Sequence, residues 1–129
     1  MVTLKQIEEA HSEVKSGAGF PAYIKQIKEL GVKYYEVFVE DGRTEFLTKD
    51  GDKITAPSKY DRLIITDKYH GEQFKEDLKA HQQGKTDYFA FCSSSAKLGI
   101  EKWVVDTKDM NCTYYSKTGD IVLVENIPQ

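Results

Sequence analysis

Leu30-Gly31-Val32-Lys33-Tyr34-Tyr35-Glu36-Val37 and Leu98-Gly99-Ile100-Glu101-Lys102-Trp103-Val104-Val105 lie 68 residues apart and follow one pattern. In each, a leucine and a glycine close a helical stretch, and a strand of alternating apolar side chains opens directly after it. At the same offset residues 20–54 fall on 88–122, with eight of 35 positions identical: Ala22, Leu30, Gly31, Val37, Asp41, Lys49, Gly51 and Asp52 with their partners. Phe20-Pro21-Ala22-Tyr23 meets Tyr88-Phe89-Ala90-Phe91, and Lys49-Asp50-Gly51-Asp52 meets Lys117-Thr118-Gly119-Asp120. With a one-residue slip, Gly17 meets Gly84 and Ile7 meets Phe74. Self-similarity at a fixed offset marks a repeated unit. We read residues 1–129 as a single domain of two copies, 1–56 and 72–125, joined by a connector, 57–71, that has no counterpart.

Each copy reads as helix, helix and three strands. Phe20, Tyr23, Ile24, Ile27 and Leu30 recur at helical spacing, which predicts one buried face. Pro21 suits the first turn, where its missing N–H costs nothing. Tyr88, Phe91, Cys92, Ser95 and Leu98 repeat the pattern, with Thr86 or Asp87 as the cap. Leu4, Ile7, Ala10, His11 and Val14, and then Phe74, Leu78 and His81, outline the shorter first helices, ended by Gly17 and Gly84. Tyr35, Val37 and Val39 share a strand face, as Trp103 and Val105 do. Asp41-Gly42 is a strong hairpin signal, whereas its partner Asp109-Met110 predicts a looser turn. Gly51 and Gly119 open the third strands. The expected fold is α+β: a two-layer sandwich with a mainly antiparallel sheet and the helices on one face. Leu63-Ile64-Ile65-Thr66 is expected to add a short strand.

The composition narrows function. Eighteen basic and twenty-one acidic side chains leave a net charge of −3, which disfavours a nucleic-acid binder. The N-terminus lacks the basic and apolar runs of a secretory signal, and no apolar run approaches the ~20 residues of a membrane span. Two cysteines are too few for a disulfide framework. A cytoplasmic protein with reduced, buried thiols is expected, a redox pair being the alternative.

Two further stretches, with the repeat, carry a family resemblance: Gly17-Ala18-Gly19-Phe20-Pro21-Ala22-Tyr23-Ile24 and His81-Gln82-Gln83-Gly84-Lys85-Thr86-Asp87-Tyr88 followed by Phe91-Cys92. Glu101-Lys102-Trp103-Val104-Val105-Asp106, Cys112-Thr113-Tyr114-Tyr115 and Ile127-Pro128-Gln129 extend it. Over essentially its whole length the chain resembles the YbcV-like family of small bacterial and prophage-borne proteins, a domain of unknown function sometimes labelled phage envelope protein. The resemblance implies a bacterial, mobile-element origin and supplies no catalytic residues.

Motif by motif, catalysis finds little support. Gly84-Lys85-Thr86 resembles the end of a phosphate loop, but position 79 is Lys where that loop needs Gly, and a helical pattern precedes it. Ser94-Ser95-Ala96-Lys97 and Lys117-Thr118-Gly119 match fragments of a serine-enzyme signature. Ser94 sits late in its helix, however, and the second fragment is the copy of a turn. His11, His70 and His81 lack metal-ligand spacing and are expected to be hydrogen-bonded or half-exposed; an approach of His11 and His81, which lie on comparable turns, across a pseudo-twofold axis is the alternative. No cofactor or metal is expected.

Two surfaces stand out. Tyr34, Glu36, Phe38, Glu45 and Leu47, with Lys102, Val104, Asp106, Thr113, Tyr115, Ile121 and Leu123, are expected on the sheet face away from the helices. That is unusually apolar for a solvated face. Self-association as a homodimer, with Tyr34, Phe38, Leu47, Val104 and Tyr115 as the interface, is expected. Cover by the connector or tail, and simple exposure, are the alternatives. The connector is dense in polar and aromatic side chains and reads as a binding loop or a solvated linker. A rival function, a small-molecule binding protein or an unrecognised enzyme, would use a pocket between the copies lined by Tyr60, Arg62, His81 and Cys92.

Overall fold

The computed structural model describes residues 2–12, 14 and 19–127; the expected helix end at Gly17 and the terminal Pro128-Gln129 lie outside them. The order is α1 Leu4–Ser12, α2 Phe20–Leu30, β1 Val32–Phe38, β2 Thr44–Thr48 and β3 Lys53–Ala56. The same order then recurs as α3 Gly71–Gln82, α4 Tyr88–Lys97, β4 Ile100–Asp106, β5 Asn111–Ser116 and β6 Ile121–Asn126. All six strands form one antiparallel sheet in the order β3-β2-β1-β4-β5-β6. Two meanders therefore meet at a central seam, where Tyr34, Glu36 and Phe38 face Asp106, Val104 and Lys102.

Local chemistry sets the helix ends. The Thr3 amide donates to Gln6 Oε1 at 2.8 Å while the Gln6 amide donates to Thr3 Oγ1 at 3.3 Å, a reciprocal cap for α1. Asp87, one of the two expected caps, accepts from the Ala90 amide at 2.7 Å and starts α4. The turns after β2 and β5 are the same structure built twice. Gly51 and Gly119 both have φ of 89°. The Asp52 and Asp120 amides each donate at 3.1 Å, to Thr48 Oγ1 and Ser116 Oγ. The turns after β1 and β4 differ. Gly42 has φ of 76°, whereas Met110 takes φ of 53°, the one left-handed non-glycine among the described residues. This is the strain expected where the hairpin signal is poorer.

Tyr35, Val37, Phe46, Trp103, Val105, Cys112 and Tyr114 project from the sheet into one core with Ile7, Ile24, Ile27, Phe74, Leu78, Phe91 and Cys92. Trp103 is 8% exposed and lies between Phe91 and Tyr114, its ring 5.7 and 5.9 Å from theirs.

The connector forms no strand at Leu63–Thr66. It is tied instead by single hydrogen bonds. Lys59 and Leu63 amides donate to Asp41 and Glu40 carbonyls at 2.8 and 2.7 Å, and Thr66 and His70 amides donate to Ala96 and Leu98 carbonyls at 3.0 and 2.9 Å. The sheet's free edges are those of β3 and β6, whereas the connector's amides are spent on the turn after β1 and the end of α4. The second correction concerns β6. A bulge between Tyr114 and Tyr115 pairs Tyr115 with Ile121 but Tyr114 with Leu123. The extra residue, Val122, turns Leu123 toward the helices and leaves Val124 on the outer face in its place.

Candidate functional site

The outer face follows from strand alternation. Once Tyr35, Val37, Trp103 and Val105 point to the helices, Tyr34, Glu36, Phe38, Lys102, Val104 and Asp106 point away. Tyr34 lies opposite Leu47 across β1 and β2, and Lys102 lies opposite Tyr115 across β4 and β5. Ile121 and Val124 extend the apolar row onto β6, 60% and 50% exposed. The five residues singled out for an interface, Tyr34, Phe38, Leu47, Val104 and Tyr115, are all half-buried and share this face.

The charges on the face are largely matched within it. Lys102 Nζ lies 3.4 Å from Glu36, Lys53 Nζ lies 3.3 Å from Glu45, and Arg43 Nε lies 3.9 Å from Glu45. The cations also sit on aromatic rings: Arg43 is 4.1 Å from the centre of Phe38, and Lys102 is 6.0 and 5.5 Å from those of Phe38 and Tyr115. Asp106 stands apart. Its Oδ1 accepts from the Lys108 and Asp109 amides at 2.9 Å each, and no cation pairs with it among the described residues.

A groove of about 400 Å³ crosses the seam, lined by Tyr34, Glu36, Lys102, Val104, Asp106, Tyr115 and Gly119. A smaller hollow of about 80 Å³ adjoins it beside Glu45, Leu47 and Lys53. Among the described residues, none of the connector and none after β6 lines either. Ile127, the last described residue, is buried and donates to the Met110 carbonyl at 2.8 Å.

The four residues considered for a pocket between the copies lie on the helix side and line neither cavity. Tyr60 donates from its hydroxyl to the Val39 carbonyl at 2.5 Å, and the Tyr60 and Tyr88 hydroxyls flank the Cys92 thiol. Burial pushes that thiol up, against the opposing pull of both hydroxyls and the Lys59 charge. Burial likewise pushes Cys112 up to about 12. Arg62 is exposed and pairs with Glu40. His81 stacks on Phe91 at 4.5 Å, and its Nδ1 lies 3.1 Å from Thr86. His11 packs edge-on against Tyr23 at 5.2 Å. Each histidine thus leans on the aromatic residue of its own helix pair, and only Tyr60 and Cys92 of the four meet. Among the described residues no group of three His, Cys, Asp or Glu side chains is placed to hold a metal ion, and no helix is long and apolar enough to cross a membrane.

Tyr88, Arg43 and Val124 were not singled out from sequence. Arg43 was legible, since it stands two residues before Glu45 on the same strand face. Val124 was not, because only the bulge places it there.

A family model described as "Protein of unknown function (DUF1398)" matches residues 8–126. The "Uncharacterized protein YcgX" of Escherichia coli (strain K12) is 19% identical over 115 residues, covering 89% of this chain and 86% of that one. The chain belongs to the family of unknown function whose model it matches.

Proposed function

We propose that this member of a family of unknown function is a non-enzymatic interaction module that acts as a homodimer through the outer face of its sheet. The observation that carries the reading is a diagonal apolar path from Leu47 through Tyr34, Val104 and Tyr115 to Ile121, which steps past the directly paired Asp106 and Lys102. It runs from β2 to β6, and no described residue of the connector or after β6 lines its groove. Its flanking charges are paired within the face, so burying it isolates few of them. Six strands ~4.8 Å apart and about six residues long, at ~3.3 Å each, give a flat footprint of about 500–600 Å². Side-chain relief brings that near the ~800 Å² per partner of a stable complex. A twofold arrangement sets the patch against its own copy. The buried thiols suit a reducing, cytoplasmic setting, and a mobile-element origin rests on the family resemblance alone.

Sedimentation velocity tests this. The wild-type chain is expected to sediment as a dimer at ~100 μM, above the Kd of a standard-sized interface. Phe38→Asp and Tyr115→Asp are expected to yield folded monomers, since an unpaired carboxylate in a dry interface is costly. Lys28→Asp, on an exposed helix position, leaves assembly intact. A monomeric wild-type chain at that concentration refutes the proposal.

A further inference from the structure

The two ends of the central seam carry the same chemistry in different states of completion. At one end the Phe38 ring and the Glu36 carboxylate hold Lys102, whose Nζ is 3.4 Å from the carboxylate and 6.0 Å from the ring centre. Arg43 covers the same ring at 4.1 Å. At the other end Tyr34 faces Asp106 directly across β1 and β4, so their Cβ atoms are about 4.5–5.5 Å apart. This is again one aromatic ring beside one carboxylate. No Lys or Arg among the described residues lies over the Tyr34 ring, and none pairs with Asp106.

Tyr34 and Asp106 both line the 400 Å³ groove, with Val104 beside them and Tyr115 as another wall. The groove is open to solvent, so a ligand would lie along it with one side still wet. Of the three charges lining it, Glu36 and Lys102 cancel at 3.4 Å, and Asp106 leaves the groove one negative charge in excess. Aromatic rings attract cations by their negative faces, most strongly where the cation is partly desolvated. A hard metal ion wants several oxygen ligands, whereas this groove offers, beside the paired Glu36, one carboxylate without a cationic partner among the described residues, its Oδ1 already accepting from two backbone amides.

We propose that the groove between Tyr34, Asp106, Val104 and Tyr115 binds a small organic cation, an ammonium or guanidinium group carried on an apolar body. The cation sits between the Tyr34 ring and the Asp106 carboxylate, and the body lies over Val104 toward Tyr115. The site belongs to a single chain and lies on the face that the proposed homodimer covers, so the amine and a second copy compete for it and the monomer is the form that binds.

The probe is phenethylammonium, titrated into ¹⁵N-labelled protein and followed by amide shifts, with 2-phenylethanol and 3-phenylpropanoate as the neutral and anionic counterparts. The expected result is saturable shifts at Tyr34, Val104, Asp106 and Tyr115 for the amine. Binding is expected to be about five-fold or more weaker for the alcohol and absent for the carboxylate. Asp106→Asn keeps an Oδ1 for the Lys108 and Asp109 amides, so the turn persists while amine binding weakens about five-fold. The same titration on Val124→Lys, altered on the face but outside the groove, is run beside sedimentation of both proteins. Assembly is thereby read separately from binding. Equal affinity for the three probes, an unchanged affinity in Asp106→Asn, or no saturable shift in either protein overturns the proposal.

Discussion

Trp103→Ala removes the largest side chain of the sheet's inner face. Trp103 is paired across strands with Val37 and Tyr114, packs against Phe91 and is 8% exposed. Truncating a buried indole to a methyl exposes or empties roughly 150 Å² of apolar contact, which at ~25 cal/mol per Å² is about 4 kcal/mol. That agrees with the ~3–5 kcal/mol measured for large aromatic-to-alanine changes in other cores. A chain of 129 residues unfolds with an entropy of about 0.27 kcal/mol per kelvin, so the expected fall in Tm is about 15 °C. Thermal melts followed by far-ultraviolet circular dichroism measure it. Because Trp103 is the only tryptophan, wild-type fluorescence checks its surroundings independently. A Tm change under about 3 °C, or an emission maximum typical of water-exposed indole, would show that Trp103 is not a core residue.

Gly51 and Gly119 share φ of 89° with nothing within 4 Å of an added Cβ, so the cost of substitution is purely backbone. Valine at either site is expected to destabilise by about 1–2 kcal/mol, asparagine by clearly less; equal urea midpoints for the two would contradict the turn geometry. His11 is held below 6.5 by burial and then by the Lys59 charge. The unfolded chain therefore binds this proton first, and stability declines as pH falls from about 6.5. His11→Gln should flatten the Tm-against-pH curve in that range, and an unchanged curve would rule out the contribution. Cys92 and Cys112 are buried with their thiols shifted up, so neither should react with a thiol-specific disulfide reagent until denaturant is added. Stoichiometric labelling of the native protein would contradict that.

The α+β architecture was readable because helices and sheet leave periodic signals. Phe20, Tyr23, Ile24 and Ile27 mark one, and Tyr35, Val37, Trp103 and Val105 mark the other. Matching those signals at one offset also gave the element order, and with it a face carrying Tyr34, Phe38, Leu47, Val104 and Tyr115. What escaped was geometry that composition does not encode. Leu123 stands at the offset from Thr55, which pairs with Glu45, yet a bulge present only in the second meander inverts it. Leu63-Ile64-Ile65-Thr66 has strand composition, yet the Leu63 and Thr66 amides bond a turn and a helix end instead of a sheet edge. The groove escaped too, because its walls come from residues as distant in sequence as Tyr34 and Asp106, and only the β1–β4 register makes them neighbours.

The connector changes allegiance midway. Its backbone amides up to Leu63 donate to the turn after β1, those of Thr66 and His70 donate to the end of α4, and Ile64 between them is 89% exposed. Continuity of the chain at that point holds the two halves at high local concentration but contributes no bond to either. Among the described residues, the two halves are joined by the seam of β1 with β4, by Thr107 at its end, which donates to the Val32 and Lys33 carbonyls, and by apposed side chains. The molecule is thus divisible, a natural candidate for fragment complementation. Peptides 1–64 and 65–129, made separately, would each expose a bare central strand, and on mixing each supplies the edge the other lacks. Recovery of the intact chain's far-ultraviolet signal at equimolar ratio is the expected result, and two halves that only aggregate would show that the covalent link is itself part of what makes the sheet form.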